Sequence, residues 1–413
     1  MRIFIGTEEI ASLLSDLASG FKDMGYKVTT YVTAKNKFYP THKYDIVRGT
    51  VINDLIHYWE WKFLSNRLKD YCKRIDTFIS VPYLKWKNRK LIEDHDLFIF
   101  IWKPWLDESY LFPLLKKKGK KIICMHVGSD VRYAQAFQQQ YNIDTAGWGD
   151  FFVNDNLDRK LKKIRYQELY ADIFYSLPDQ AGLYLRNYNH LSLSLNKAKD
   201  IQFKIPARKK PLIIHAPSRS EIKGTSIINK TVERLKNEGI ELDYTLIQNV
   251  PNEELLRLLT EADILCDELF LHGPGVLSAE GMAAGCAVAT RCFNVPPFQP
   301  PVCAVTPENL YEELKRLITD VEYRVALAAE GKKFVDEFND PTRIAAKVIA
   351  DITNESLDNA GNDYHPDFFI KHFKLPENIK LSSQAKALTK KVAEKYGLQK
   401  EAAEYELEKR GLI

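Results

Sequence analysis

Between residues 211 and 290, short apolar runs alternate with amphipathic helical stretches, an alternation that few folds accept. Pro211–His215 is apolar without helical spacing, which predicts a strand buried on both faces, and Ala216-Pro217-Ser218-Arg219 cannot continue it. Gly224-Thr225 opens a helix with Ile227, Ile228, Val232 and Leu235 on one face, and Gly239 stops it. Ile240, Leu242, Tyr244 and Leu246 alternate with polar residues as a half-buried strand. Asn252 can cap the helix EELLRLLTE, and ADILC is another strand. A helix from about Val276 to Ala284 ends at Gly285, before the strand CAVAT. The predicted class is α/β, with a parallel sheet and right-handed crossovers. Such sheets bind ligands beyond the carboxyl ends of their strands.

Those ends carry charge. Arg219 and Lys223 lie in one loop at a spacing that can bring two cations to one anion. His272-Gly273-Pro274-Gly275 precedes a helix start, where free amides and about half a positive charge favour an anion. Glu280, one turn into that helix, can accept from both hydroxyls of a ribose. Singly, each is an ordinary solvated residue; together, at consecutive strand ends, they make a pyrophosphate cradle. Neither GxGxxG nor GxxxxGK[ST] occurs, against a dinucleotide dehydrogenase and a P-loop nucleotidase.

On these residues the chain resembles the retaining GT-B glycosyltransferases of the large E-x7-E family (glycosyltransferase family 4-like). Ser218-Arg219-Ser220-Glu221-Ile222-Lys223-Gly224-Thr225 fits the family's loop with Arg and Lys-Gly, and Glu280-Gly281-Met282-Ala283-Ala284-Gly285 fits the second half of its glutamate motif. The first glutamate would stand at position 272, where this chain has His272. In the family that glutamate lies near the donor sugar and its phosphates, and the second contacts ribose. The resemblance thus implies ribose binding by Glu280 and leaves the role of His272 open. Asp267 and Glu268, just upstream, are candidates for the missing carboxylate.

The amino-terminal half reads as a second Rossmann-like unit. Met1–Gly6 begins as a buried strand, and Thr7-Glu8-Glu9 leads into a helix with Ile10, Leu13, Leu14, Leu17, Ala18 and Phe21 on its apolar side, ended by Gly25. Tyr26–Val32, Asp96–Trp102 and Lys120–Met125 are further strands. After the last comes His126-Val127-Gly128-Ser129-Asp130-Val131-Arg132. A lone histidine is commonly structural, and Gly-Ser-Asp is a common cap. The resemblance offers another reading, in which a histidine at this place faces the donor sugar across a cleft.

What the resemblance implies is sugar transfer from a nucleotide-diphosphate sugar to an acceptor hydroxyl with retention, in glycan or glycoconjugate biosynthesis. The catalytic set would be His126, Arg219 and Lys223. Gly6, Ser218, Arg219, Lys223, His272, Gly273, Gly275, Val276 and Glu280 would hold the donor, and Gly128, Ser129, Asp130 and Arg132 the acceptor. Negative charge builds on the leaving phosphate, so stabilising it gives the largest gain. Arg219, Lys223 and the amides near Gly273–Val276 would do so. The sequence is read as having no D-x-D motif, which fits metal-independent transfer, an expectation on which Asp94-His95-Asp96 bears; no metal and no cofactor beyond the donor are expected. His126 would position sugar or acceptor without acting as a base.

The chain's 413 residues divide as 1–195, an acceptor-binding unit; 196–210, a linker; 211–353, the donor unit, closed by the helical region Pro307–Thr353; and 354–413, a helical extension. The resemblance implies that a terminal helix crosses back onto the first unit. Within the extension, YHPDFFIKHF and a charged helical stretch follow a polar connector, and His365 reads as structural. Cys72, Cys124, Cys266, Cys286, Cys292 and Cys303 form no CxxC and read as buried thiols of a reducing cytosol. No leader pattern and no spanning apolar run are read. Residues 1–205 carry 32 Lys+Arg against 23 Asp+Glu, and the rest 27 against 32, so the excess of cations lies in the first half. Lys62–Lys69, Lys85–Lys90 and Lys116–Lys121 interleave with Trp59, Trp61, Trp86, Trp102 and Trp105. Two readings stand: contact with the inner face of an anionic membrane or a phosphate-bearing lipid-linked acceptor, or solvated helices with core aromatics. No RNA- or DNA-binding spacing accompanies the charge, so nucleic acid is not expected as a partner. Two other functions fit the architecture: a nucleotide-sugar 2-epimerase, and a non-catalytic binding protein.

Overall fold

The computed structural model describes residues 1–34, 41–48, 81–141, 155–177, 182–195, 200–271, 273–292, 298–353, 363–365, 370–397 and 400–413. His272, Lys62–Lys69, Trp59, Trp61 and Cys72 therefore lie outside the described residues. Two sheets organise the chain, and every strand pairing within them is parallel. The first contains β1 (Arg2–Thr7), β2 (Lys27–Val32), β3 (Ile46–Val47), β4 (Leu97–Ile101), β5 (Lys121–Met125), β6 (Ile173–Ser176) and β7 (Asn189–His190), in the order β3-β2-β1-β4-β5-β6-β7. The second contains β8 (Leu212–His215), β9 (Asp243–Leu246), β10 (Ile264–Cys266), β11 (Ala287–Thr290) and β12 (Cys303–Ala304), in the order β12-β11-β10-β8-β9.

Strand alternation divides the first sheet between two cores. Phe4, Phe98, Phe100, Ile122 and Phe174 point to one face, and Ile3, Ile5, Leu97, Ile99, Ile123 and Ile173 to the other. The aromatic face is covered by the helices Glu108–Lys117 and Leu157–Tyr170, the aliphatic one by the helix Leu13–Asp23. Burial on both faces explains why these strands read as unbroken apolar runs. In the second sheet Ile214, Leu265 and Val288 face one core, and Ile213, Ile264 and Ala287 the other.

The chain path crosses between the units at its end. The helix Pro341–Thr353, placed within 211–353, lies on the helix Leu13–Asp23 of the first unit, the crossing back that the resemblance implies. Ala345, Val348 and Ile352 are fully or nearly buried in the aliphatic core of the first sheet. The approach is close: a Cβ on Gly20 would lie 2.1 Å from the Pro341 carbonyl oxygen. Residues beyond 353 are likewise no appendage. Phe373, Leu381, Ala385, Val392, Leu407 and Leu412 complete the aromatic core, and the helix Ser383–Lys395 lies along Leu157–Tyr170. Arg165, wholly buried there, donates to Glu168 and Leu183 O and, at 3.2 Å, to the Thr389 hydroxyl. The connector, by contrast, lies on the second unit: Lys204 N donates to Ala284 O, and the Arg324 guanidinium binds the Pro206 and Arg208 carbonyls.

One D-x-D does occur, Asp94-His95-Asp96, but it sits at the amino end of β4, where Asp96 accepts from Arg2 N at 2.8 Å. That is the edge of the sheet away from the strand ends that bind ligands. Cys124, Cys266, Cys286 and Cys303 are buried, as read; burial pushes the Cys266 and Cys286 thiols up to about 12. Among the described residues no helix is long and apolar enough to cross a membrane.

Candidate functional site

The second sheet ends in a cavity of about 330 Å³. Its walls come from the segment after β8 (Ala216, Pro217, Ser218, Lys223), from the stretch after β9 (Ile247, Asn249, Val250, Asn252, Leu255), from the helix Val276–Ala284 (Val276, Leu277, Glu280) and, across from the first unit, from Ala11. The backbone is sharply turned at both rims. Ala11, Ser12 and Asn249 occupy left-handed conformations, which side chains adopt at a cost and which cluster at binding sites. Gly224 is needed twice over. Its φ of 74° ends the turn Ser220–Lys223 and starts the helix Thr225–Asn237, and a Cβ there would lie 2.7 Å from Leu269.

Glu280 is buried, not an outward-facing helix residue, and its Oε1 accepts from Asn252 Nδ2 at 2.8 Å. That bond changes the reading of Asn252. The helix it was expected to cap begins on it instead, with Pro251 at the cap, and its side chain turns into the cavity. Val276 begins a helix whose first amides lack intrahelical partners and favour an anion.

Lys223 reaches the cavity from beneath. Its Nζ pairs with Asp267 Oδ1 and lies 3.4 Å from Glu268 Oε2. Burial works against the ammonium, but Asp267 and Glu268 outweigh it and hold the Lys223 pKa above its ordinary value. Asp267 also accepts from the Ser278 hydroxyl at 2.6 Å. Burial alone would raise the Asp267 carboxyl; the Lys223 charge and both hydrogen bonds bring it below the usual range. Asp267 was read as a stand-in for the missing glutamate; here it is a buried counter-ion. Ser278, fully buried in a helix whose one other polar side chain is Glu280, was not singled out, and a lone hydroxyl in VLSAEGMAA was its one signal.

Ser218, Lys223, Val276 and Glu280 thus meet at one cavity; the other site candidates among the described residues do not line it. Arg219 is exposed between Ser218 and the turn it precedes, and it is not among the residues lining the cavity. Gly273 and Gly275 line a separate crevice with His190, Phe298 and Tyr364. Gly273 serves packing, because a Cβ would lie 2.4 Å from the Thr290 hydroxyl. Gly6 lies inside β1, where a Cβ would come within 3.0 Å of the Phe4 ring and of Tyr31 O.

Beyond β5 the polar residues of the first sheet's carboxyl edge are packed over. His126 is 1% exposed, its Nδ1 engages the Tyr184 hydroxyl, and its ring stacks on Phe174 at 6.1 Å. Burial, then the nearby Lys163 charge, lower its pKa well below the ordinary value, so the imidazole is neutral. Gly128 accepts from Val131 N and Arg132 N in a tight turn and donates to Asp130 Oδ1 at 2.8 Å. Asp130 and Arg132 are buried, and Ser129 is partly exposed. Burial raises the Asp130 carboxyl against the pull of Lys163. Trp105 is core, whereas Trp86 is 63% exposed and Lys85 stands 3.6 Å over the Tyr110 ring.

Two parallel-sheet units, with a cavity at the carboxyl edge of one closed by a loop of the other, make the GT-B architecture. The same fold is seen in sucrose-phosphate synthase (tll1590) from Thermosynechococcus elongatus, which matches over 84% of this chain and 97% of its own at 12% identity and a TM-score of 0.56. WaaG, a glycosyltransferase involved in lipopolysaccharide biosynthesis, aligns over 86% of this chain and 100% of its own (14% identity, TM-score 0.49). Anabaena Alr3699/HepE, solved with UDP-glucose, aligns over 85% and 99% (10%, 0.48). No protein-family model matches the chain, and no curated protein matches it.

Proposed function

We propose that the chain is a glycosyltransferase that moves a sugar from a nucleotide-diphosphate sugar to an acceptor hydroxyl. The observation that carries this reading is the convergence of Lys223, the start of the helix Val276–Ala284 and Glu280 on one cavity at the strand ends of a GT-B fold. Its spacing suits a nucleoside diphosphate: a carboxylate for the ribose, apolar walls from Ile247, Val250 and Leu255 for a base, and a cation with helix amides for phosphate. Support comes also from the structural match to sucrose-phosphate synthase. Stabilising the leaving diphosphate with fixed charge needs no metal, and retention follows if that phosphate assists the acceptor on the face it leaves. His126, neutral and buried, would then act by shaping the facing wall. Acceptor contact is proposed for the first unit, around Ser129 and the exposed Trp86, Lys87 and Arg89. With that surface the protein would work in the cytoplasm, at an anionic membrane face.

A thermal-shift screen with UDP, GDP and ADP and their sugars tests this, because a ligand held by the native state raises stability by mass action. One series should shift the unfolding temperature, and Glu280→Ala should abolish that shift. Release of the nucleotide on transfer or hydrolysis separates a transferase from a binding protein. Conversion of the donor to its epimer without nucleotide release would instead establish an epimerase.

A further inference from the structure

Lys223, the cation at the cavity, faces two carboxylates of its own chain, and the two are held differently. Asp267 is 1% exposed with both oxygens engaged, Oδ1 by Lys223 and Oδ2 by Ser278 on the first turn of the helix Val276–Ala284. It therefore ties the cation to the helix start. Glu268 meets Lys223 through Oε2 alone, and its buried Oε1 has no hydrogen-bond partner among the described residues. A charged carboxylate oxygen buried without a donor is costly, and a proton removes most of that cost. Burial first, and then the charge of Asp267 against the pulls of Lys223 and Arg132, raise the Glu268 pKa.

Several charges stand near Glu268, among them Arg291 at the end of β11, whose N donates to Glu268 O at 2.6 Å and whose guanidinium donates to Leu269 O at 3.3 Å. Lys223 and Asp267 belong to the second unit, and Arg132 reaches it from the loop after β5 of the first. Behind Asp267 stands His215, bonded to Cys266 O at 2.8 Å and to the Thr225 hydroxyl at 2.9 Å, and burial lowers its pKa so that it stays neutral. A diphosphate arriving at Lys223 would add negative charge beside a carboxylate that is already poorly held, so the carboxylate's affinity for a proton must rise.

We propose that, in the donor site inferred above, Asp267 is the positioning residue for Lys223, and Glu268 is the carboxylate that takes a proton from solvent when a nucleoside diphosphate docks. No donor bond is broken in this step; the proton lodges on Glu268 and leaves with the product. A group whose pKa rises on binding makes binding tighter as pH falls. A nucleotide sugar suits the measurement, since its diphosphate is doubly esterified and keeps its charge near neutral pH.

The test is titration calorimetry with UDP-glucose, GDP-mannose and ADP-glucose, at about pH 6 and about pH 8, in two buffers of different ionisation heat. The probe that binds should do so roughly three- to tenfold tighter at the lower pH, with a net uptake of up to about one proton. Glu268→Gln should bind with no uptake and no pH dependence. Asp267→Asn should bind about tenfold more weakly, yet add nothing when Lys223 is already Gln, which separates positioning of Lys223 from general damage. Binding without proton uptake in the unaltered protein leaves the donor reading intact and overturns the role of Glu268. Uptake that persists in Glu268→Gln assigns the proton elsewhere, with His272→Gln as the deciding variant, and also overturns it. Additive losses from Asp267→Asn and Lys223→Gln overturn the positioning role. If none of the three probes binds, the donor reading itself fails and this inference with it.

Discussion

The two sheets meet their ligand-binding edges in opposite ways. Beyond β8 and β10 the second unit keeps a cavity open, lined by a cation and a carboxylate whose partners lie at its rim. Beyond β5 the first unit closes over its polar residues: His126 bonds Tyr184, Asp130 caps its own turn, and Lys163 donates to Trp102 O. Titratable groups at strand ends thus do different work according to what covers them. At one edge they line an open cavity; at the other they hold a loop.

The sharpest way to break this contrast is Lys223→Ala. It strips the partner from a buried aspartate, so denaturant unfolding should show a loss of about 3–5 kcal/mol together with loss of any nucleotide-sugar stabilisation. A nearly unchanged stability would mean that the Lys223–Asp267 pair is not formed. Next comes Glu280→Gln, which keeps a carbonyl for Asn252 but gives up the charge offered to a ribose. Donor affinity by calorimetry should fall about 10–100-fold with stability little altered.

His126 supplies a pH test of the other edge. Its folded pKa lies below its unfolded value, so the unfolded chain takes the proton first, and stability present above about pH 6.5 is lost as pH falls. Raised carboxylates such as Asp130 act in the opposite sense, so the difference between the protein and His126→Gln is the quantity to measure. That difference should change by up to about 1.4 kcal/mol per pH unit below this point. The smallest effect belongs to Tyr184→Phe, which should cost about 1 kcal/mol in stability and leave donor affinity alone. A drop in affinity there would show that the first sheet's edge is more than packing.

Much of this arrangement is legible in the sequence because it is local. The helix Val276–Ala284 and its glycine stop follow from nine residues and the Gly285 beyond them, and the strands follow from apolar runs buried on both faces. Glu280 and Lys223 were legible through their distance from strand ends. What was not legible is pairwise and long-range. Nothing in the spelling of Asp267 says that it faces Lys223, 44 residues away, or that Asn252 turns from capping a helix to Glu280, 28 residues on. At the end of the chain the crossing back came from the resemblance and not from the residues, for a related reason. Pro341–Thr353 is an amphipathic helix on any reading, and amphipathicity says that a face is covered without saying by what.

The return of that helix orders events in time. Residues 200–339 supply the second sheet and its covering helices in one unbroken stretch, so this unit can close as soon as it leaves the ribosome. The first unit has to wait. Its β-strands precede the second unit in the chain, yet Ala345, Val348, Phe373 and Leu412, which belong to its two cores, follow that unit. Until they arrive, both cores of the earlier half lack part of their apolar cover, and a nascent chain stalled near residue 340 should be the species that chaperones hold.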